Sequence, residues 1–381
     1  MAHIAWLGKK SPFCGNVTYG LSTTEALRRR GHQTSFIHFD NPGSPASSTT
    51  SLLANDPDVS LPYLVKSQMY TIPSPRANRE LRESLERIQP DVVHASLTLS
   101  PLDFGLPELC QQLQVPLVAT FHPPFDASLR NITAGGQQLT YQLYAPSLAR
   151  YSKVIVFSDL QAEVLNRLGV PEDRLAVIPN GVDPRHWHPG SSDLQQRFDG
   201  RRVFLYMGRL ATEKNVEALL RAWKLVQPEG CVLVVVGDGP LRNTLETTYS
   251  SDNIIWWGYE ADQQRRAALL QAAEVFLLPS LVEGLSLALL EAMASGCACV
   301  ATDAGADGEV LAGGAGIVIS TQGVTTQLRT LLPVLRDQRL LTAELGRQAR
   351  RRVMERYTLS ANIDSIERLY RELNSPLPLV A

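Results

Sequence analysis

Short apolar runs alternate with amphipathic stretches along the whole chain, the pattern of parallel sheets joined by crossover helices. In the first half the spacing predicts strands at His3–Gly8, Thr34–His38, Asp91–Ala95, Leu117–Phe121, Val154–Phe157 and Leu175–Ile178. A helix is predicted over Tyr19–Arg30, closed by Gly31, with Leu21, Thr24, Ala26 and Leu27 toward the sheet. Asn41–Pro75, rich in Ser, Pro and Asn, reads as an insertion. A turn-rich seam from Ile178 to Ser192 has neither helical nor strand period and reads as a hinge.

Beyond that seam the pattern restarts. Strands are predicted at Arg202–Met207, Cys231–Val236, Ile254–Trp257, Val275–Leu278, Ala298–Thr302 and Gly316–Ile319. Helices are predicted at Val216–Leu225, Leu241–Thr248, Asp262–Ala272 and Leu287–Ala294, and a charged helical tail at Gln338–Leu373. The fold class expected is therefore α/β, with two doubly wound parallel-sheet, Rossmann-like domains facing a central cleft. Their bounds are expected at 1–187 and 188–359, with a C-terminal helix of about 360–381 packing back on the first domain.

Composition narrows the function. A chain of 381 residues suits two domains, and 44% hydrophobic against 19% charged residues is ordinary for a globular protein. A net charge of -2 argues against a nucleic-acid partner. The five cysteines are scattered, and Cys297 and Cys299 lie inside an apolar run, so they read as reduced buried thiols and not as metal ligands. The N-terminal apolar run is too short for a signal segment, and no run approaches the roughly 20 residues that span a bilayer. The expected location is cytoplasmic, soluble or peripheral on a membrane.

Four segments carry candidate chemistry. In Gly208-Arg209-Leu210 and the nearby Lys214, fixed cations leave a strand end, as a diphosphate requires. In the second segment, Glu283 and Glu291 flank a strand–Gly284–helix junction, where the amides of Gly284, Leu285 and Ser286 form an anion-friendly helix start. A glutamate buried in the apolar helix Leu287–Ala294 would need a partner. The third is Thr120-Phe121-His122-Pro123, a strand end whose histidine could donate to a sugar hydroxyl. The fourth, around Cys14-Gly15-Asn16, joins the first strand to the first helix, where Gly15 lets a sugar approach the backbone.

Together these segments resemble glycosyltransferase family 4, the retaining family with the GT-B fold. The likeness runs over the whole chain and includes Pro179-Asn180-Gly181-Val182-Asp183 and Gly237-Asp238-Gly239-Pro240. It implies a retaining hexosyltransferase in which Arg209 and Lys214, beside Gly208, bind the donor diphosphate. Glu291 would hold the nucleotide ribose, Glu283 with the amides after it the donor sugar, and His122 would contact that sugar. Many members carry two consecutive glycines in the first loop. Here Cys14 precedes the single Gly15, which leaves diphosphate contact by that loop open.

Retention without a catalytic carboxylate pair implies same-face attack, with no metal and no cofactor, the NDP-sugar being a substrate. The segments Lys9–Asn16 and Thr120–Asp126 also resemble cyanobacterial-type digalactosyldiacylglycerol synthases, which implies UDP-galactose as donor and a galactolipid as acceptor. A UDP-glucose donor, a soluble sugar or polysaccharide acceptor, a nucleotide-sugar 2-epimerase and an inactive sensor remain the alternatives. An anionic membrane surface is a further expected partner. Lys9-Lys10, Arg28–Arg30, the helix bearing Arg76 and Arg79, and the run Leu61–Lys66 through Tyr70 would supply cations beside apolar side chains. Asp56-Pro57-Asp58 matches a metal-binding D-x-D pattern but lies in the insertion, away from any strand end. Trp256-Trp257 is expected in the core.

Overall fold

The computed structural model describes residues 1–11, 14–40, 58–67, 70–97, 99–125 and 132–374, side chains from 135 onward in the last stretch. Asp56 and most of the Asn41–Pro75 insertion lie outside the described residues. The chain divides into two compact units. One comprises Met1–His122, Thr140–Ile178 and the residues from Asn362 onward; the other comprises Pro123–Leu139 and Pro179–Ala361. Where the sequence placed boundaries at 187/188 and about 359/360, the chain crosses between the units at 178/179 and 361/362, and also at 122/123 and 139/140.

The first unit holds strands β1 (His3–Gly8), β2 (Gln33–Phe39), β3 (Val59–Leu61), β6 (Val92–Ser96), β7 (Leu117–Thr120), β8 (Lys153–Val156) and β9 (Leu175–Val177). They form one parallel sheet in the order β3-β2-β1-β6-β7-β8-β9. A separate antiparallel hairpin pairs β4 (Tyr63–Lys66) with β5 (Thr71–Pro73). The second unit holds β10 (Arg202–Met207), β11 (Cys231–Val236), β12 (Ile254–Gly258), β13 (Val275–Leu278), β14 (Ala298–Thr302) and β15 (Ile317–Ile319). They are parallel in the order β12-β11-β10-β13-β14-β15. Runs such as Cys231–Val236 are buried at every position, because helices cover both faces of a parallel sheet.

The helices are α1 (Gly15–Arg29), α2 (Ala77–Ile88), α3 (Leu102–Gln112), α4 (Ile132–Leu148), α5 (Asp159–Arg167), α6 (Val216–Val226), α7 (Arg242–Thr248) and α8 (Gln263–Ala272). They continue with α9 (Leu287–Ala294), α10 (Asp307–Val310), α11 (Val324–Asp337), α12 (Arg339–Arg356) and α13 (Leu359–Asn374). Among the described residues no helix is long and apolar enough to cross a membrane.

Three local expectations change. Helix α1 starts a turn earlier than the periodicity suggested, and its Leu21 faces solvent while Tyr19, Thr23, Thr24 and Leu27 are buried. The helical tail breaks at Tyr357-Thr358, because Val182 takes both backbone groups there: its N–H donates to Tyr357 and its C=O accepts from Leu359, each at 2.9 Å. Gly181 permits this, since a β-carbon on it would lie 2.5 Å from the Thr358 carbonyl oxygen. Trp256 and Trp257 are half-buried, with the Arg197 guanidinium 5.5 Å from the Trp257 ring centre.

Candidate active site

In an open parallel sheet, ligands bind beyond the carboxyl ends of the strands where strand order reverses. In the second unit that point lies between β10 and β13. The loops leaving these two strands carry Gly208, Arg209, Lys214, Glu283, Gly284, Leu285 and Ser286. The sequence-predicted donor residues are thus brought together by topology.

The first loop is fixed through its backbone. Gly208 donates to the Val236 carbonyl at 3.0 Å, Leu210 to that of Asp238 at 2.9 Å, and the Tyr206 hydroxyl to that of Arg209 at 2.8 Å. Gly237, with φ +134°, must be glycine, because a β-carbon there would sit 1.9 Å from the Gly208 oxygen. Arg209 therefore leaves a rigid base, and its guanidinium pairs with Glu213 one turn on. A 3₁₀ turn over Thr212–Lys214 follows, and Asn215 takes a left-handed φ of +50° to start α6. The Lys214 and Asn215 amides are bonded within that turn, to the carbonyls of Ala211 and Thr212. These two amides are therefore not offered to an anion, and the segment's contribution is its cations. The Lys214 ammonium reaches across to Glu283 Oε1 at 2.5 Å, and Ser280 Oγ donates to the same oxygen at 2.8 Å.

The second loop shows its amides by engaging its carbonyls. The Glu283 C=O accepts from Phe125, the Gly284 C=O from Ala306, and the Leu285 C=O from Asn180 Nδ2. In a trans peptide the next N–H points the opposite way. The Gly284 and Leu285 amides are thereby turned from those partners, as an anion site needs. Ser286 differs from expectation: its amide donates to Asp307 Oδ1 at 3.0 Å, while its hydroxyl accepts from Leu289 and caps α9. Asp307 is fully buried beside Glu283, which pushes its carboxyl well above the usual range. Nothing near it in sequence marked Asp307 as a partner of this loop.

Glu291 sits just beyond the first turn of α9, 4% exposed. The partner its burial demands is Arg266 of α8, whose Nη2 lies 2.7 Å from both carboxylate oxygens. The Arg266 guanidinium also lies over the Trp187 ring, 5.3 Å from its centre. Burial raises the Glu291 pKa, and the charge and hydrogen bond of Arg266 pull it back. Sequence reasoning showed that a partner was required; no local pattern named Arg266.

In the first unit, Gly15 begins α1 after an extended Cys14, with open space where a side chain would go. His122 follows β7; its ring meets Tyr19 edge-on at 4.9 Å, and Nε2 lies 2.8 Å from Ser96 Oγ. Two basic groups are not placed as expected for a membrane face. Lys9 is buried at 4% exposure, and the Lys66 ammonium turns inward to the Phe39 carbonyl and the Ser11 hydroxyl. Lys10 pairs with Asp58 of the D-x-D pattern, and Arg79 with Glu83.

Residues 15–186 match the family model described as Glycosyltransferase Family 4, and residues 201–337 the model described as Glycosyl transferases group 1. The chain belongs to the glycosyltransferases. Among curated glycosyltransferases it is 28% identical to the UDP-Gal:alpha-D-GlcNAc-diphosphoundecaprenol alpha-1,3-galactosyltransferase of Escherichia coli, over 55% of this chain and 57% of that one. It is 26% identical to the alpha-monoglucosyldiacylglycerol synthase of Streptococcus pneumoniae, over 58% of this chain and 53% of that one. Those two are thus matched over little more than half their own length. The phosphatidyl-myo-inositol mannosyltransferase of Mycolicibacterium smegmatis is 27% identical over 97% of this chain and 94% of its own. Among solved structures, Anabaena Alr3699/HepE in complex with UDP-glucose superposes with a TM-score of 0.79 at 19% identity, over 97% of this chain and 100% of that one. The fold of this glycosyltransferase is GT-B.

Proposed function

We propose that the chain is a retaining, metal-independent hexosyltransferase moving a hexose from an NDP-sugar to a glycolipid hydroxyl, with UDP-galactose as donor and digalactosyldiacylglycerol as product. The observation that carries the donor half is the convergence of Arg209, Lys214 and the Gly284 and Leu285 amides at the β10/β13 switch point. Fixed cations and amides there answer the charge that develops on a departing diphosphate. The bond from the anomeric carbon to the diphosphate oxygen breaks, and the acceptor oxygen bonds to that carbon on the same face. The acceptor proton passes to the departing diphosphate. Glu291 accepts from the nucleotide ribose, Glu283 from the transferred sugar, and His122 hydrogen-bonds a carbohydrate hydroxyl. The lipid-acting names among the relatives support the acceptor class.

Transfer is expected to persist in EDTA, and NMR of the product is expected to show the donor's anomeric configuration. An inverted product, or activity lost in EDTA and restored by a divalent ion, would contradict the mechanism.

For a lipid acceptor the membrane-facing element we favour is the β4–β5 hairpin, where Leu64 is 64%, Val65 44%, Tyr70 47% and Ile72 39% exposed. Because Lys66 is turned inward, these exposed apolar side chains carry the attachment and the cations contribute little. Leu64→Ser with Ile72→Ser is expected to reduce flotation with anionic liposomes several-fold, while added salt changes it little. Absence of flotation at low salt, together with brisk transfer to a soluble sugar, would end the lipid reading.

A further inference from the structure

A chain of hydrogen bonds behind His122 has only one consistent set of protons. Asn16 Nδ2 donates to the Leu97 carbonyl at 2.9 Å, which fixes the amide orientation and leaves Oδ1 facing Ser96. Ser96 Oγ donates its single proton to that Oδ1 at 2.9 Å. At the 2.8 Å contact between Ser96 Oγ and His122 Nε2, the hydroxyl therefore has no proton to give, and the ring nitrogen is the donor. The ring is held in place by Tyr19 and by Phe157, whose centre is 5.2 Å away. The hydrogen bond of the ring among the described residues is the one at Nε2, which leaves Nδ1 available, and the residue keeps partial exposure.

We infer that Ser96 and Asn16 are positioning residues that hold His122 as the Nε2–H tautomer, so that Nδ1 accepts a hydrogen bond from a carbohydrate hydroxyl. This reverses the donor role the sequence suggested, and its ligand half rests on the proposed function. His122 would then contact a hydroxyl through its lone pair and would supply neither a proton nor a positive charge to the reaction.

The surroundings keep the ring neutral. Burial and the charge of Lys9, in the loop after β1, hold its pKa down at about 3. Lys9 is itself lowered by burial, with Cys14, Asp103 and Lys66 acting on it. From β6 faces His94, also held at about 3, and from α1 faces Tyr19, raised to about 12. Near neutral pH His94 and Tyr19 are therefore both uncharged, and neither brings a charge to the His122 ring.

The test is long-range proton–nitrogen correlation on the full chain labelled with ¹⁵N-histidine, without ligand. The expected spectrum shows His122 with Nε2 protonated and Nδ1 bare from pH 6 to 8. In Ser96→Ala the pure tautomer is expected to give way to a mixture while a cooperative, if somewhat lower, melt shows that the chain stays folded. A wild-type ring protonated on Nδ1, or a Ser96→Ala ring unchanged from wild type, overturns the inference.

Turnover of UDP-galactose with monogalactosyldiacylglycerol then separates it from the underlying reading. His122→Asn keeps an acceptor near the Nδ1 position, whereas His122→Gln extends toward Ser96 and lacks one. The Gln variant is expected to lose at least about tenfold more in kcat/KM than the Asn variant. Equal, near-wild-type rates in both, alongside the expected spectrum, would remove the carbohydrate contact and leave the tautomer standing. A rise in KM of Ser96→Ala for UDP-galactose alone assigns the hydroxyl to the donor; a rise for the galactolipid alone assigns it to the acceptor. No change in either, with a mixed tautomer in the spectrum, would overturn the positioning role.

Discussion

Arg209→Ala is expected to lower kcat/KM by roughly 30- to 1,000-fold, the loss of about 2–4 kcal/mol of transition-state stabilisation that removal of one charged contact to a leaving oxyanion brings. The thermal melt should barely move. The pair it makes with Glu213, one turn along the chain, is at 35% side-chain exposure, and ion pairs that open to water contribute about 0–1 kcal/mol. Lys214→Ala should cost as much in activity, but not cleanly. Its ammonium is the cationic partner of Glu283, whose side chain is only 9% exposed, and deleting it leaves that carboxylate, among the described residues, with the Ser280 hydroxyl. A lower melting temperature should therefore accompany the lost turnover. Near-wild-type kcat/KM in Arg209→Ala would remove the basis for placing the diphosphate here.

Arg266→Leu is expected to destabilise the second unit by about 3–5 kcal/mol near neutral pH, the cost of stripping a buried carboxylate of its partner. The pH dependence identifies the cause. Burial raises the folded Glu291 pKa above the ordinary glutamate value of 4.5. The native state then binds a proton that the unfolded chain has released, so stability falls as pH rises from that value through the raised one. With Arg266 present the guanidinium works against that rise and narrows the window. Without it the window extends to higher pH, and melting temperature should drop more steeply with rising pH above the ordinary glutamate range than in the wild type. Arg266→Leu combined with Glu291→Gln should regain most of the loss and flatten the profile. A single variant whose melt does not depend on pH, or a double variant no more stable than the single, would show that the ion pair does not govern this site.

Much of the fold was legible because it is written locally. Arg202–Met207, Cys231–Val236, Val275–Leu278, Leu287–Ala294 and Ala298–Thr302 were read with the bounds the structure gives them. Each is an apolar run fenced by glycine, proline or polar residues, and its length, its flanks and its share of β-branched residues decide its type. The start of α1 was not, since Gly15-Asn16 carries no apolar period and Cys14 is not a capping residue of the usual kind. The break at Tyr357 depends on Val182, far away in the chain, while the local signal, a Thr358 hydroxyl that accepts from Ala361 and caps the last helix, is weak on its own.

The site divides along the same line. Arg209, Lys214, Glu283 and Glu291 were visible because chemistry-bearing residues stand at fixed spacing beside strand ends. The groups that set their state were not. Arg266 lies 25 residues from Glu291, Asp307 lies 21 from Ser286, and Asn16 lies 80 from Ser96. Lys9 looked exposed next to Lys10, and only the folded sheet shows it buried. A sequence states which polar groups need partners; tertiary packing chooses them.

The central claim, transfer of a hexose from a nucleotide sugar, is tested most directly by acceptor-dependent release of nucleoside diphosphate. Purified protein is incubated with UDP-, GDP- and ADP-hexoses, with and without a galactolipid-containing lipid extract, and the lipid product is identified by mass spectrometry and NMR. The account predicts UDP release from UDP-galactose only when lipid is present, with one added hexose on monogalactosyldiacylglycerol and none formed by Arg209→Ala beyond about 3% of the wild-type rate. Nucleoside diphosphate release that ignores every acceptor, or a donor sugar returned as its C2 epimer, would contradict it.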